Sequence, residues 1–302
     1  MLEQSVLEKY ICAGQIAAKV REEIKNRTRE GMPIIRICEE AEQMIRKLGG
    51  KPAFPCNVSI NNVAAHYTSP PGDDKTVPER SVVKIDIGVH VDGYIADTAT
   101  TVCFAPEYED MVRTSEIALE AAIKKIRPNM HTSDLGSEIQ KIIERRGFKP
   151  ISNLTGHQVG RYLIHAGKSL PNVFHISFNK IRAGEVYAIE PFVTVRSAAG
   201  RVVDAPESYI FRLVKRKSLK NAEAKRLLKY IESRFRTLPF AERWLKNDVS
   251  LGDYRAAFLR LLSSKCLMSY PVFVEATGKW VAQSEHTVYV DKNGPVITTQ
   301  YE

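Results

Sequence analysis

The 302-residue sequence is poor in cysteine and has no long apolar run. Its five cysteines are far apart and form no CxxC pair, which argues against both a disulfide framework and a zinc ribbon. No stretch approaches the ~20 apolar residues that cross a bilayer, and no apolar signal region follows Met1. These absences predict a soluble protein of the reducing cytoplasm.

Acidic residues are also in short supply relative to basic ones. Lys and Arg total 44 against 35 Asp and Glu, which leaves a net charge of +9. Such a surplus can favour an anionic partner such as RNA, whereas a solvated basic surface is the commoner explanation. Much of it lies in 212–229, which has few aromatic residues to stack on bases and no nucleic-acid motif. Both interpretations stay open.

Hydrophobic residues make up 44% and charged residues 26% of the chain, as in ordinary globular proteins. Apolar spacing predicts helices over 5–29, 34–48, 109–127 and 132–146, the last capped by Thr132 or Ser133. Strands are expected over 151–159, 185–195, 207–214, 271–275 and 281–290. We expect one α/β catalytic domain over 1–302, with two pseudo-symmetric halves and a helical insertion over 216–268.

The clearest local pattern is a β-hairpin, with strands over 81–89 and 94–104 and a four-residue turn at 90–93. This turn predicts that Val89 lies opposite Tyr94, and therefore that Asp86 lies opposite Asp97. Two carboxylates that share a face at this distance repel each other when both are ionised. A register shifted by one residue, which would separate them, is the alternative.

A divalent cation would remove the conflict, because carboxylates are hard oxygen ligands that can bridge two metals. Further ligand candidates are His157, between two glycines, and Glu190 and Glu285, each in an apolar strand-like segment. Each is weak alone, since a single histidine is more often structural. Together, two divalent ions would balance the four carboxylates and could activate a bridging water. The residues therefore predict a dinuclear hydrolase site.

Five segments around these residues resemble the metal-ligand motifs of the methionine aminopeptidases. More narrowly, they resemble the type 2 enzymes in the short form without an N-terminal extension. The segments are Lys-Ile-Asp86-Ile-Gly, Tyr-Ile-Ala-Asp97-Thr-Ala, Leu-Thr-Gly-His157-Gln-Val-Gly, Tyr-Ala-Ile-Glu190-Pro and Gln-Ser-Glu285-His-Thr. The resemblance covers essentially the whole chain. It implies the pita-bread α/β fold shared with creatinase and prolidase.

The resemblance also implies a role for each ligand. Asp97 and Glu285 would bridge two divalent ions, Asp86 would complete one of them, and His157 with Glu190 would complete the other. Glu190 would in addition carry a proton from the water to the leaving amine. The metal could be Co, Mn, Fe or Zn.

Two further histidines, His66 and His165, match the family's substrate-contacting histidines and are expected to take part in catalysis. Phe54 and Ile164 are candidates to line the pocket for the methionine side chain, and Phe192 is a weaker one. Ordinary core packing is the alternative for all three apolar residues. His90, His131 and His175 match no functional position, and we expect them to be turn or surface residues.

The function that the resemblance implies is removal of the initiator methionine from nascent proteins, by metal-activated attack of water on the first peptide bond. We expect a cytoplasmic monomer, with transient ribosome association as a hypothesis that the basic charge motivates. One rival is a proline-specific peptidase such as prolidase or aminopeptidase P. The other is a non-enzymatic relative that binds RNA, ribosomes or histones.

Overall fold

The computed structural model describes residues 2–246 and 254–301. The helices are α1 (Gln4–Arg27), α2 (Ile34–Lys47), α3 (Glu109–Lys125), α4 (Thr132–Arg145), α5 (Ala222–Phe235), α6 (Glu242–Lys246) and α7 (Tyr254–Ser263). The first four agree with the predicted ones to within two residues at each end. The predicted cap of α4 is wrong: the residue before the helix is His131, and the Thr132 hydroxyl instead donates to Ser177 at 3.0 Å.

The strands in chain order are β1 (Lys51–Pro52), β2 (Asn57–Ile60), β3 (Val63–Ala65), β4 (Val82–Val91), β5 (Tyr94–Cys103), β6 (Phe148–Pro150), β7 (Thr155–Val159), β8 (Ser169–Pro171), β9 (Val186–Ile189), β10 (Phe192–Val195), β11 (Val202–Leu213), β12 (Phe240–Ala241), β13 (Leu267–Glu275), β14 (Val281–Gln283), β15 (His286–Asp291) and β16 (Gly294–Ile297). Their pairings are antiparallel. They run in the orders β1-β4-β2 with β5 on β4, β14-β10-β6, β12-β11-β13-β3 and β16-β15-β9-β7-β8.

The first half of the molecule packs α1 and α2 against β4 and its neighbours. Ile16, Val20 and Ile24 recur every four residues of α1 and so face one side of the helix. They bury against Ile85 and Ile87, which occupy alternate positions of β4. The apolar alternation of β4 is therefore explained by a helix layer that covers one face of its sheet.

The second half repeats this arrangement with α3 and α4. Leu119 of α3 and Ile139 of α4 pack against Ile189 of β9, Val193 of β10 and Val288 of β15. Each half is thus a helix pair over antiparallel strands. The predicted mixed α/β class is confirmed.

The two halves meet where β5 runs beside Glu285. The backbone N–H of Glu285 donates to the carbonyl of Ala99 at 3.1 Å, and the Thr98 hydroxyl donates to the carbonyl of Glu285 at 2.8 Å. The Thr287 hydroxyl lies between the N–H and C=O of Asp97, at 2.7 and 2.8 Å. These bonds fix the first half's aspartate strand against the second half's glutamate segment.

The predicted register of the β4–β5 hairpin is wrong by two residues. Val91 pairs with Tyr94, Asp86 with Ala99, and Asp97 with Gly88. The turn is the two-residue Asp92-Gly93 pair, with φ of 51° and 90°, as a type I′ turn requires. Because the error is an even number of residues, Asp86 and Asp97 still share a face, as diagonal rather than direct neighbours.

Helices α5, α6 and α7 lie in sequence between β11 and β13. They pack around a hydrophobic cluster that includes Leu227, Ile231, Phe240 and Leu261. The predicted insertion over 216–268 also extends over 247–253, which lies outside the described residues. Among the helices that the structure describes, none has both the length and the apolar content to cross a membrane.

Candidate metal centre and substrate cavity

A cavity of about 350 Å³ opens between the two halves. It is lined by every predicted site residue, namely Phe54, His66, Asp86, Asp97, His157, Ile164, His165, Glu190 and Glu285. Residues up to 231 positions apart in the chain are therefore neighbours at one opening. The fold brings the whole predicted set together.

Strands or the residues next to them hold the five acidic and imidazole side chains at the base of this cavity. Asp86 and Asp97 come from the adjacent strands β4 and β5, and His157 from the middle of β7. Glu190 directly follows β9 and Glu285 directly precedes β15, and these two strands pair. The sheets of both halves thus contribute to a single cluster.

The cluster is compact and buried. His157 Nε2 lies 3.7 Å from Asp97 Oδ2 and 3.5 Å from Glu190 Oε1. One ligand atom from each of Asp97, His157 and Glu285 falls within a span of 4.8 Å. These three residues are at most 6% exposed. Such spacing is short enough for one small cation to contact several of them.

The hydrogen bonding of the cluster fits a cation better than it fits a network complete in itself. Buried Oδ1 atoms of Asp86 and Asp97 have no hydrogen-bond partner within the described part of the chain. Asn57 Nδ2 donates to Asp86 Oδ2 at 3.1 Å, and Gln283 Nε2 donates to Glu285 Oε2 at 3.2 Å. These amides orient the carboxylates and leave their other oxygens for a metal. The residues present therefore suit a divalent ion.

Without a cation the four carboxylates are held in an unfavourable environment. Burial raises the pKa of Asp86 to about 7. Burial and then the neighbouring Asp86 charge raise the pKa of Asp97. Burial and then the Asp97 charge raise the pKa values of Glu190 and Glu285. Burial lowers the pKa of His157 to about 3, which keeps the imidazole neutral, as a metal ligand must be.

The two additional histidines stand above this cluster. The His165 ring lies edge-on to the His157 ring, with 4.4 Å between centroids. His66 has a left-handed backbone (φ 66°), and its Nδ1 lies 3.1 Å from the carbonyl oxygen of Pro271. Since burial lowers its pKa to about 4, the neutral ring donates from Nδ1 and keeps Nε2 as an acceptor.

The apolar wall of the cavity includes the predicted Phe54 and Ile164, and also Phe192, which is packed at 1% exposure. Gly88 permits the position of Phe54, because a Cβ at residue 88 would lie 2.2 Å from the ring. Sequence reasoning missed several further lining residues. They are Asn57, Ala65, Asn153, Leu154, Thr155, Ile210, Pro239, Tyr270 and Phe273.

One of the remaining histidines differs from expectation. His90 was expected in a turn or at the surface, but it is the penultimate residue of β4 and is only 7% exposed. Its Nδ1 accepts a hydrogen bond from the N–H of Gly93 at 3.1 Å, because the hairpin turn starts two residues later than predicted. His175 lies on the surface as expected.

A buried set of carboxylates and imidazole that suits a divalent ion, at the base of an open cavity, defines a metal-dependent hydrolase. Residues 8–292 match the model of metallopeptidase family M24, and the chain belongs to that family.

The curated relatives of the chain include methionine aminopeptidases of archaea. The one from Pyrococcus horikoshii is 42% identical over 295 residues, which cover 97% of this chain and 99% of the relative. The one from Methanocaldococcus jannaschii is 44% identical over 294 residues, which cover 97% and 98%.

Among solved structures, the methionine aminopeptidase of Thermotoga maritima has a TM-score of 0.72 at 23% identity. It matches over 99% of this chain and 98% of its own. The pita-bread fold implied by the sequence resemblance is confirmed.

Proposed function

We propose that the chain removes the N-terminal methionine from nascent polypeptides by metal-activated hydrolysis of the first peptide bond. The observation that carries the proposal is the convergence of Asp86, Asp97, His157, Glu190 and Glu285 at the base of the one cavity that His66 and His165 also line. A buried acidic cluster alone would fit many metal sites. The apolar pocket beside it fits a medium-sized, unbranched side chain such as methionine.

The proposed ligand arrangement has two divalent ions. Asp97 and Glu285 would be ligands of both ions, Asp86 would be a further ligand of one, and His157 with Glu190 would be further ligands of the other. The mixed carboxylate and imidazole donor set suits Mn, Fe, Co or Zn. We also propose the type 2, short-form subtype, with 216–268 as a helical insertion in a single catalytic domain. In the described part of the segment between β11 and β13, three helices share an apolar cluster, and this supports that division.

Bound divalent ions would polarise the scissile carbonyl and lower the pKa of the attacking water. The protein residues perform the remaining tasks. Phe54 and Ile164 receive the methionine side chain, which fixes the first peptide bond over the carboxylates. His66 orients the peptide by accepting a hydrogen bond from a peptide N–H at Nε2. His165 also orients the peptide and stabilises the negative charge that develops on the carbonyl oxygen. Glu190 accepts the proton of the water and delivers it to the departing amine.

Glu190 is suited to proton transfer by its position. Its carboxylate lines the cavity, where substrate reaches it, and is 3.5 Å from His157 Nε2. The side chain is 14% exposed, more than the 5% of Asp97. A carboxylate that lies between the other candidate ligands and the cavity can both bind a metal ion and transfer a proton to the substrate.

The test is a peptide panel assayed with metal-stripped and metal-reloaded protein. We expect metal-dependent release of methionine from Met-Ala-Ser and no hydrolysis of Pro-Ala-Ser or of Xaa-Pro peptides. Cleavage of Xaa-Pro substrates would instead support the proline-specific rival. No hydrolysis with Mn, Fe, Co or Zn would favour a binding protein and would contradict the proposal.

The proposed enzyme acts in the cytoplasm as a monomer and meets its substrates at the ribosome. The net charge of +9 is the observation that supports transient binding to the RNA-rich particle. Co-sedimentation with ribosomes should then weaken as salt is raised. Absent or salt-independent co-sedimentation would contradict the ribosome association and leave the peptidase proposal intact.

A further inference from the structure

Beyond the catalytic cluster, the rim of the cavity carries an arginine that the mechanism does not use. Along β11 and β13, Ile210 pairs with Tyr270, and the next rung on the same face pairs Arg212 with Met268. Ile210 and Tyr270 line the cavity, and Ile210 is 4% exposed. Met268 is 37% exposed, so the wall passes from buried to solvated within one rung. Arg212 therefore stands at the mouth.

His165 is one of the exposed residues of the cavity lining. The Arg212 charge is near enough to act on the His165 imidazole. The same charge opposes the rise that burial causes in the pKa of Tyr270. One guanidinium thus acts on two lining residues on the same side of the opening.

The guanidinium has no counter-ion in the described part of the chain. Its Nε donates to Met268 Sδ at 3.0 Å, a weak and neutral acceptor, and no carboxylate there forms an ion pair with it. The chain that follows β11 adds exposed Lys215, Lys217 and Lys220. A solvated, unpaired arginine followed by lysines gives this side of the mouth a positive field.

The opposite end of β11 has the opposite sign. Asp204 is exposed, pairs with Phe273, and acts on His66 rather than on His165. Arg212 lies eight positions after Asp204 on β11, roughly 25 Å at the usual rise per residue. The two ends of the mouth would consequently favour substrate residues of opposite charge.

We infer that Arg212 is a specificity-determining residue that binds an acidic side chain of the substrate two or three residues beyond the scissile bond. The inference rests on the proposed function, in which His165 contacts the peptide. With the first residue held against Phe54 and Ile164, the departing chain passes His165 and then Arg212. Acidic residues at the third or fourth substrate position are preferred over basic ones.

The experiment compares Met-Ala-Ser-Ser, Met-Ala-Asp-Ser, Met-Ala-Lys-Ser and Met-Ala-Ser-Asp with the metal-loaded enzyme. We expect kcat/KM about three- to fivefold higher for the better of the two Asp peptides than for the Lys peptide, since a solvated ion pair contributes modestly. The ratio should fall as salt is raised. Arg212→Met should bring the ratio to about one, and Arg212→Glu should reverse it.

Lys124→Met is the matched control, because it removes one positive charge from an 80% exposed side chain on α3 and should leave the ratio unchanged. Equal wild-type rates on the Asp and Lys peptides, or a preference for Lys, would overturn the inference. If Arg212→Met kept the preference for Asp, another residue would be its cause, and the inference would be overturned as well. Failure to cleave any of the four peptides would contradict the proposed function itself.

Discussion

Glu42 and the candidate metal centre both bury carboxylates, and they differ in how the charge is neutralised. Glu42 of α2 accepts hydrogen bonds from the N–H of Cys56 at 3.2 Å and from Trp244 Nε1 at 2.6 Å. It also forms an ion pair with Arg243 of α6, and both side chains are at most 6% exposed. Burial lowers the pKa of Arg243, but the charge and hydrogen bond of Glu42, together with Cys38 and Cys56, more than offset this and raise it. The charge of the buried Glu42 carboxylate is therefore neutralised by a side chain of the protein itself.

The candidate metal centre contains four carboxylates and no arginine or lysine among its lining residues. Buried oxygens of Asp86 and Asp97 are left without partners, whereas those of Glu42 are used. Burial of an acid therefore does not by itself indicate a functional site. The informative feature is a set of like charges whose compensation has to come from a ligand.

The largest predicted effect is the loss of stability when the buried Glu42–Arg243 ion pair is broken. Glu42→Ala leaves the Arg243 guanidinium buried without its carboxylate, and this should lower the free energy of unfolding by about 3–5 kcal/mol. Urea denaturation measures the change. Glu40→Ala is the control, since Glu40 forms an exposed i,i+4 pair with Arg36 on the same helix and should cost under about 0.5 kcal/mol. A loss below about 1 kcal/mol for Glu42→Ala would contradict the stated role of the pair.

The second effect is the converse, a loss of activity without a loss of stability. Glu285→Gln keeps the shape of the side chain but removes one of the four carboxylate charges of the cluster, and kcat/KM should fall about 100-fold. Unfolding of the metal-free variant should require as much urea as wild type or more, because repulsion among carboxylates is relieved. Metal content after dialysis, measured by mass spectrometry, should also fall.

Glu275→Gln provides the matched comparison for Glu285→Gln. Glu275 is equally buried, at 2% exposure, but accepts hydrogen bonds from the backbone N–H groups of Gly200, Thr277 and Lys279 outside the cluster. The Glu275→Gln variant should be less stable than wild type and should keep its metal. Equal metal loss in both variants would remove the distinction between the two kinds of buried acid.

The third prediction uses pH. In the metal-free protein Asp86 has a pKa of about 7, above its unfolded value, so the folded state holds an extra proton between these two values. Stability from this group is present at low pH and is lost as pH rises through about 7. Relative to Asp86→Asn, wild type should therefore lose about 2 kcal/mol of stability between pH 5 and pH 8.

The histidines whose pKa values burial lowers, such as His66 and His90, change stability in the opposite sense, by destabilising the protein as pH falls. Their contribution is common to wild type and Asp86→Asn and is removed by the difference. Parallel stability curves for the two metal-free proteins would contradict the assignment. With saturating metal, the two curves of stability against pH should have the same slope and should be offset by the difference in metal-binding free energy.

The smallest effect concerns the support of a single ligand. Asn57→Ala removes the amide that donates to Asp86 Oδ2 and should weaken metal binding about tenfold, which calorimetric titration would measure. Asn62→Ala, a change of the same kind five residues along the chain and outside the cavity lining, should leave the affinity unchanged. An unaltered affinity in Asn57→Ala would show that the hydrogen bond does not orient Asp86.

The helices and the cluster of candidate ligands were predictable because each depends on a local pattern. The spacing of Ile16, Val20 and Ile24 predicts the buried face of α1 without any knowledge of its neighbour. Asp86 and Asp97 share a face even though the predicted register was wrong by two residues. Only the parity of the pairing decides which face a side chain occupies. The Asp92-Gly93 pair was the available signal for the shorter turn.

The walls of the cavity were not predictable in the same way. Asn57, Pro239 and Tyr270 lie in three separate parts of the chain and become neighbours only through the packing of β2, the inserted helices and β13. Their types are common in cores and loops, so no spacing distinguishes them. The Glu42–Arg243 pair joins residues 201 positions apart and has no local signal either.

The bridge between Ala99 and Glu285 has a consequence for how the protein is made. Glu285 can reach β5 only after the long segment that separates it from Ala99 has been synthesised, and closing so long a loop is slow relative to forming the local hairpin. A polypeptide still attached to its ribosome would then hold Asp86 and Asp97 without Glu285. Competence to bind metal would arise at the end of folding, and a chain cut short before residue 285 would have the hairpin but no enzyme.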